Sequence, residues 1–102
     1  MAAPEMITVV ARWRIQSEHV DEVLAHVAEL RLASLAEPGC LSYEAFRSVD
    51  AADTVLLLER YRDAAAVESH RLSDHYRQRL VQHILPLLLE RQVDLLQAPR
   101  SA

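Results

Sequence analysis

The chain has 102 residues, a formal net charge of −4 at neutral pH, and 11 basic residues that are all arginine. This length predicts one domain spanning residues 1–102, with its core at about residues 6–97. Without lysine there is no Schiff-base or P-loop lysine, and a single glycine (Gly39) excludes glycine-rich phosphate loops. A single cysteine (Cys40) excludes an internal disulfide, a Cys-x-x-Cys redox pair and a multi-cysteine zinc site.

Charge and hydropathy give no sign of a nucleic-acid or membrane partner. The arginines are scattered without a basic run, and the longest apolar run, residues 84–89, is far shorter than the ~18 residues of a membrane span. No basic stretch precedes an apolar segment at the N-terminus, so we expect no signal peptide and a cytoplasmic location.

The predicted elements alternate between strand and helix patterns. Residues 6–15 alternate in polarity as a β-strand does, and Ser17 is expected to cap a helix of roughly 18 residues that ends at Pro38-Gly39. Residues 40–48 and 54–62 predict a β-hairpin with a short polar turn. Asp63 is expected to cap a second helical stretch from residue 64 to about 85. A break in this stretch is expected near Ser73-Asp74, which can act as a fresh cap, and residues 90–97 predict the last strand.

The order β-α-β-β-α-β predicts an α+β, ferredoxin-like fold with a four-stranded antiparallel sheet and both helices on one face. The opposite face carries Val10, Phe46, Leu56 and Leu58, which are too apolar for a solvated surface. We therefore expect a second copy of the chain to cover this face in a homodimer. The charged residues available to pair across that interface are Arg12, Glu44 and Arg60.

Three residues on the helix-facing side are unusual for a core: Arg47, Glu59 and Tyr61. A buried Glu59 has to be paired, protonated or turned to a cavity. If the hairpin turn is centred on residue 51, Tyr43 lies opposite Glu59 and Leu41 lies opposite Tyr61. This register predicts a cluster, between sheet and helices, of Trp13, Tyr43, Glu59 and Tyr61.

The chain resembles the antibiotic biosynthesis monooxygenase (ABM) domain family over about residues 6–97. The residues that carry the resemblance are the opening strand 7–11 (ITVVA), the turn 37–43 (EPGCLSY), and the stretch from 59–61 (ERY) through His70 to 73–76 (SDHY). The resemblance implies a dimeric α+β barrel with one pocket per subunit between sheet and helices. Family members include cofactor-free oxygenases of phenolic polyketides, quinol monooxygenases, haem-degrading oxygenases and an isomerase.

The resemblance also narrows the expected activity. Haem-degrading members use an asparagine, a tryptophan and an axial histidine where this chain has Trp13, His70 and Leu80, so haem degradation is not expected. Tyr61 stands where the quinol-oxidising members have a tryptophan. The expected function is a monooxygenase that oxidises a small quinol or phenolic substrate with dioxygen and without metal or organic cofactor. The alternatives are a redox-neutral isomerase and a non-catalytic dimer that binds a small ligand.

His70 is the leading candidate for the catalytic base, because an imidazole accepts protons near neutral pH. The other predicted catalytic residues are Glu59 and Tyr43, and the predicted substrate-binding residues are Trp13, Tyr61, His75 and Arg47. Each also has a purely structural interpretation, such as a helix histidine bonded to the backbone, a carboxylate bonded to a buried tyrosine, or core filling. The histidine pairs 19/26 and 75/83 lack the i, i+4 spacing of a helical metal site, so we expect no metal.

Overall fold

A computed structural model describes residues 5–97. Its strands are β1 (Ile7–Ile15), β2 (Cys40–Arg47), β3 (Thr54–Tyr61) and β4 (Leu88–Gln97). The helices are α1 (Val20–Leu35), which follows a 3-10 turn at Ser17–His19, and α2 (Ala64–Arg71). A π-helix (Tyr76–Ile84) and a 3-10 turn (Leu85–Leu87) lead into β4. No helix within the described residues is long and apolar enough to cross a membrane.

The four strands form one antiparallel sheet in the order β2-β3-β1-β4, which confirms the predicted ferredoxin-like α+β fold. Alternate residues of β1 are buried under the helices, as the sequence pattern predicts. The core joins these residues to the apolar stripe of α1 and to Leu80 and Ile84 of the π-helix. Burial of apolar area on this single face of the sheet is therefore what holds the helices in place.

The helix starts agree with the sequence at two of three predicted caps. The Asp63 carboxylate accepts a hydrogen bond from the Ala66 amide at 2.8 Å, and Ser73 Oγ accepts one from the Tyr76 amide at 3.2 Å. The predicted Ser17 cap is wrong. Ser17 lies inside the 3-10 turn, and neither that turn nor α1 has a side-chain cap.

Gly39 has a packing role rather than a conformational one. Its backbone does not adopt a positive φ angle. A Cβ at this position would overlap the Cβ of Ala66 on α2. The only glycine of the chain therefore lets the turn before β2 approach α2 closely.

The β2–β3 register confirms one predicted pair and corrects another. Tyr43 lies opposite Glu59, as predicted. Tyr61 lies opposite Cys40, because an irregularity between Cys40 and Ser42 leaves Leu41 out of the ladder and 55% exposed. The extra residue changes the register at the end of the strand, which a simple two-residue period does not anticipate.

Arg47 is also placed differently from the prediction. It lies at the exposed end of the edge strand β2, and its Nε donates a hydrogen bond to the Ala52 carbonyl at 2.8 Å. It therefore supports the hairpin turn and is not among the residues that line the cavity described below.

Candidate active site

A cavity of about 30 Å³ lies between the sheet and the helical segment that runs from α2 to the π-helix. The sequence-predicted residues Trp13, Tyr43, Glu59, Tyr61 and His70 all line it. Lining residues that sequence reasoning did not single out include Arg71, Tyr76, Arg91 and Val93. The volume is enough for one or two water molecules, so the cavity is closed to an aromatic ring in this conformation.

His70 lies on the last turn of α2 and is 4% exposed. Its ring lies among aromatic neighbours, with centroids 5.2 Å from Tyr61, 5.2 Å from Tyr76 in an edge-on arrangement, and 6.2 Å from Tyr43. The Asp63 cap fixes where α2 begins and hence the position of this side chain over the sheet. His70 is therefore a buried histidine on the cavity wall.

Both ring nitrogens of His70 face carboxylates. Nδ1 lies 2.8 Å from Glu37 Oε2, and Nε2 lies 3.7 Å from Glu59 Oε1. A carboxylate can only accept, so Nδ1–H donates to Glu37 and Nε2 is left as the proton acceptor in the neutral ring. Glu37 thus fixes both the tautomer and the orientation of His70.

The Glu37 carboxylate is held from a second side by His75. His75 Nε2 lies 2.5 Å from Oε2, the same oxygen that His70 contacts. His75 itself does not line the cavity, and its side chain is partly exposed. The structure therefore places this predicted substrate-binding residue behind Glu37, two hydrogen bonds from His70, where it can position Glu37.

Glu59 is the buried acid of the cavity and is 6% exposed. The Tyr61 hydroxyl donates a hydrogen bond to Glu59 Oε1 at 2.6 Å. Burial raises the pKa of Glu59 to about 7, and the Tyr61 hydrogen bond opposes that rise. Near neutral pH the carboxyl group can thus either donate or accept a proton.

Burial also changes the titration of the neighbouring groups. It lowers the pKa of His70, against the hydrogen bond and charge of Glu37, so the resting ring is neutral. It raises the pKa of Tyr43 and of Tyr61 above that of a free phenol, with the charge of Glu59 acting in the same direction. The two tyrosines are therefore hydrogen-bonding groups rather than bases.

Sequence reasoning missed Glu37 as a site residue. An acidic residue just after the end of a helix is unfavourable beside the negative end of the helix dipole. That misfit is a sequence signal that Glu37 has a partner elsewhere. The partner, His70, is 33 positions away along the chain, so the sequence does not identify it.

Within residues 5–97, one group of side chains has the donors to hold a metal ion: Glu37, His70 and His75, whose donor atoms lie within 4.8 Å of one another. Two ligands of a tetrahedral zinc ion are roughly 3.3 Å apart, given bonds of about 2.0–2.1 Å. Glu37 Oε2 is closer than that to both histidine nitrogens. The three side chains are therefore arranged as a hydrogen-bonded chain, and metal binding would require Glu37 to move.

Comparisons with known proteins agree with this fold. The family model described as antibiotic biosynthesis monooxygenase matches residues 6–79. "Putative monooxygenase Rv0793" of Mycobacterium tuberculosis is 34% identical over 70 residues, which are 69% of this chain and 68% of that protein. "Putative monooxygenase YcnE" of Bacillus subtilis is 31% identical over 71 residues, which are 70% of this chain and 75% of that protein.

A solved structure gives the same relationship over nearly the whole chain. The structure of Rv0793 from Mycobacterium tuberculosis superposes with a TM-score of 0.85 at 31% identity, covering 95% of this chain and 97% of that one. The family match covers residues 6–79, which is more than half of the chain. The chain therefore belongs to the antibiotic biosynthesis monooxygenase family.

Proposed function

We propose that the protein is a cofactor-independent monooxygenase that oxidises a small quinol or phenol with dioxygen in the cytoplasm. The observation that carries the proposal is the 2.8 Å hydrogen bond between His70 Nδ1 and Glu37, because it leaves Nε2 as a base on the cavity wall. A phenol that loses its proton to Nε2 becomes an electron-rich phenolate, which can reduce dioxygen directly. The family and the names of its relatives support a monooxygenase of this kind.

The proposed reaction converts a phenol and dioxygen into a quinone and water. The phenolate adds dioxygen at a ring carbon in one-electron steps, which gives a peroxide anion on that carbon. Protonation of the peroxide, loss of the ring proton and cleavage of the O–O bond leave a new carbonyl and one water molecule. The substrate supplies all four electrons, and the two protons of the water come from its hydroxyl group and its ring carbon.

Two groups of the cavity suit the proton steps. His70 takes the hydroxyl proton, and the Glu37 carboxylate stabilises the imidazolium ion that forms. Glu59, with its pKa raised to about 7, can protonate the peroxide and then accept the proton that leaves the ring carbon. Trp13, Tyr43 and Tyr61 form walls that exclude water and raise the strength of these electrostatic interactions.

We also propose that the active protein is a homodimer, paired through the sheet face that the helices leave open. On that face Val10, Leu56 and Leu58 are only half buried in the single chain, and Phe46 is 47% exposed. Charges of both signs, such as those of Arg12 and Asp94, accompany them, so two copies of the same face can complement each other. A second copy would remove this apolar surface from water.

The proposal is tested by oxygen uptake with a panel of small phenols and quinols, followed by mass spectrometry of products formed under ¹⁸O₂. We expect one labelled oxygen atom in the product. His70→Ala should lower kcat/KM by about 10²–10⁴-fold, the range for loss of a general base. The matched control is His83→Ala, because His83 is exposed and does not line the cavity. Unlabelled product, or full activity of His70→Ala, would refute the proposal.

A redox-neutral isomerase remains the second candidate, and one observation favours it. Glu59 and neutral His70 lie 3.7 Å apart, and an isomerase needs one group to remove a proton and another to return it. Such an enzyme would turn over without oxygen. Turnover of an enolisable phenolic ketone under strict anaerobiosis, with loss in His70→Ala, would support the isomerase instead of the monooxygenase.

A further inference from the structure

Trp13, one of the residues that line the cavity, has a hydrogen-bond donor without a partner. Trp13 is 1% exposed, and its Nε1 makes no hydrogen bond to any of the described residues. An indole N–H is a donor only, and leaving it unpaired in a buried position is unfavourable. Trp13 lines the cavity, so an acceptor oxygen of a bound ligand can satisfy it.

The rim of the same cavity carries two positive charges. Arg71 is the last residue of α2, and Arg91 lies on β4 directly opposite Trp13 in the sheet. Both side chains line the cavity, and both are exposed. The positive charge of each arginine also acts on Glu59, since it opposes the rise in the pKa of the Glu59 carboxyl group.

Three surface arginines are already paired with acidic side chains. Ion pairs join Arg14 to Glu90, Arg62 to Asp63, and Arg77 to Asp74. Within residues 5–97, neither Arg71 nor Arg91 has a carboxylate at ion-pair distance, and Arg91 makes one long hydrogen bond, 3.4 Å, to the Tyr76 hydroxyl. The cavity rim therefore offers guanidinium groups that no acid of the described chain neutralises.

We propose that the ligand of this cavity is an anionic phenol, with a carboxylate bound by Arg71 and Arg91 and a second oxygen that accepts from Trp13 Nε1–H. Guanidinium groups pair with carboxylates through two parallel hydrogen bonds, which gives orientation as well as affinity. Anchored in this way, the hydroxyl group of the ring is directed towards His70. The inference deepens the proposed function and rests on it for the phenolic ring.

The small volume of the cavity means that the proposed ligand can enter only if the rim opens. A cavity of about 30 Å³ cannot hold a benzoate ring. The wall formed by β1, β2 and β3 is buried, whereas Arg71 on α2 and Arg91 on β4 are exposed and can rotate without disturbing the core. A carboxylate would therefore hold the two arginine side chains in a rearranged position around the ligand.

The test is a binding measurement without oxygen, so that it does not depend on turnover. The probes are salicylate, gentisate and 1,4-dihydroxy-2-naphthoate, each compared with its methyl ester, which keeps the ring and removes the charge. Binding is followed by isothermal calorimetry and by the fluorescence of Trp13, the only tryptophan of the chain. We expect at least one acid to bind about tenfold or more tightly than its ester.

Variants test the residues that the proposal names. Arg71→Gln and Arg91→Gln should each weaken binding of the acid by about tenfold and leave binding of the ester nearly unchanged. The control is Arg77→Gln, since Arg77 is exposed, pairs with Asp74 and does not line the cavity. Trp13→Phe should weaken acid and ester alike in the calorimeter, because both keep an acceptor oxygen.

The proposal is overturned if no acid of the panel binds, if the esters bind as tightly as the acids, or if Arg77→Gln has the same effect as the rim variants. These outcomes are separate from the monooxygenase proposal. If the acids bind more tightly than their esters but are never oxidised, the monooxygenase proposal is refuted and the proposed ligand class stands. If neutral quinols are oxidised and the acids bind no more tightly than their esters, the ligand class is refuted and the monooxygenase proposal stands.

Discussion

Replacing Glu59 with glutamine is expected to make the protein more stable at alkaline pH. Glu59 is 6% exposed, and its Oε1 accepts a 2.6 Å hydrogen bond from Tyr61. Glutamine has the same shape and keeps an oxygen that can accept this hydrogen bond, but it never ionises. The substitution therefore removes the cost of a buried carboxylate and leaves the packing largely unchanged.

The sign and size follow from the pKa of Glu59, which burial raises from 4.5 to about 7. Between these values the folded protein keeps a proton that the unfolded chain has lost. The protonated acid contributes its full stability below pH 4.5, and that contribution is lost as the pH rises through about 7. At roughly 1.4 kcal/mol per pH unit, the free energy of unfolding falls by about 3 kcal/mol over this window.

Urea unfolding of wild type and Glu59→Gln at pH 5 and pH 8 measures this difference. We expect similar stability at pH 5 and an advantage of about 3 kcal/mol for Glu59→Gln at pH 8. The control is Glu29→Gln on the exposed side of α1, which should show no such change. An equal difference between wild type and Glu59→Gln at both pH values would refute the reasoning.

The contribution of His70 to the pH dependence of stability has to be separated from that of Glu59, because burial lowers the pKa of His70 below 6.5. A histidine with a lowered pKa contributes stability above pH 6.5 and loses it as the pH falls, which is the opposite sign to Glu59. Its ring also lies 3.7 Å from Glu59, so the two titrations are coupled. Repeating the comparison in a His70→Gln background removes the histidine and leaves the Glu59 contribution alone.

Three further predictions test packing, assembly and positioning. Gly39→Ala should cost about 1–3 kcal/mol in urea unfolding because its Cβ overlaps Ala66, and adding Ala66→Gly should recover part of that loss; an unchanged stability of Gly39→Ala would contradict the packing role. Phe46→Glu should turn a dimer into a monomer in light scattering, whereas Leu32→Glu, exposed on α1, should not; a dimeric Phe46→Glu would contradict the proposed interface. Glu37→Gln should lower kcat/KM by about 10²-fold or more at unchanged circular dichroism, because it removes the charge that stabilises the imidazolium ion; full activity would show that this charge is not used.

The fold could be predicted because its determinants are local. The alternation in β1 and the cap at Asp63 both depend on neighbours within a few positions, and both are confirmed. The pairing of Tyr43 with Glu59 follows from the position of the hairpin turn. The pairing of Leu41 with Tyr61 was wrong because an extra residue enters the strand just beyond, where the turn at Gly39 packs on α2.

The residue pattern predicted the part of the candidate site that follows from the sheet, and the family resemblance pointed to His70 on α2. Trp13, Glu59 and Tyr61 line one cavity because they lie on the same face of neighbouring strands. Glu37 and Arg91 reach the site from a turn and from the weakly patterned strand β4, so their place depends on tertiary packing. Arg47 was expected near the pocket on the strength of its strand position, but it lies at the exposed end of the edge strand.

In the proposed function, the buried walls of the closed cavity differ from the exposed residues through which a ligand would enter. Trp13 and Tyr61 are fully buried in the sheet, so neither can move without exposing core. Arg71 and Arg91 are exposed on the rim, so they can move without exposing core, and the proposal has them move when a ring enters. A carboxylate on the ligand would bind the same two guanidinium groups that it displaces, whereas a neutral phenol would have to displace them without that gain. Opening at the two arginines, as proposed, therefore predicts selection for an anionic ligand in addition to the effect of their charge.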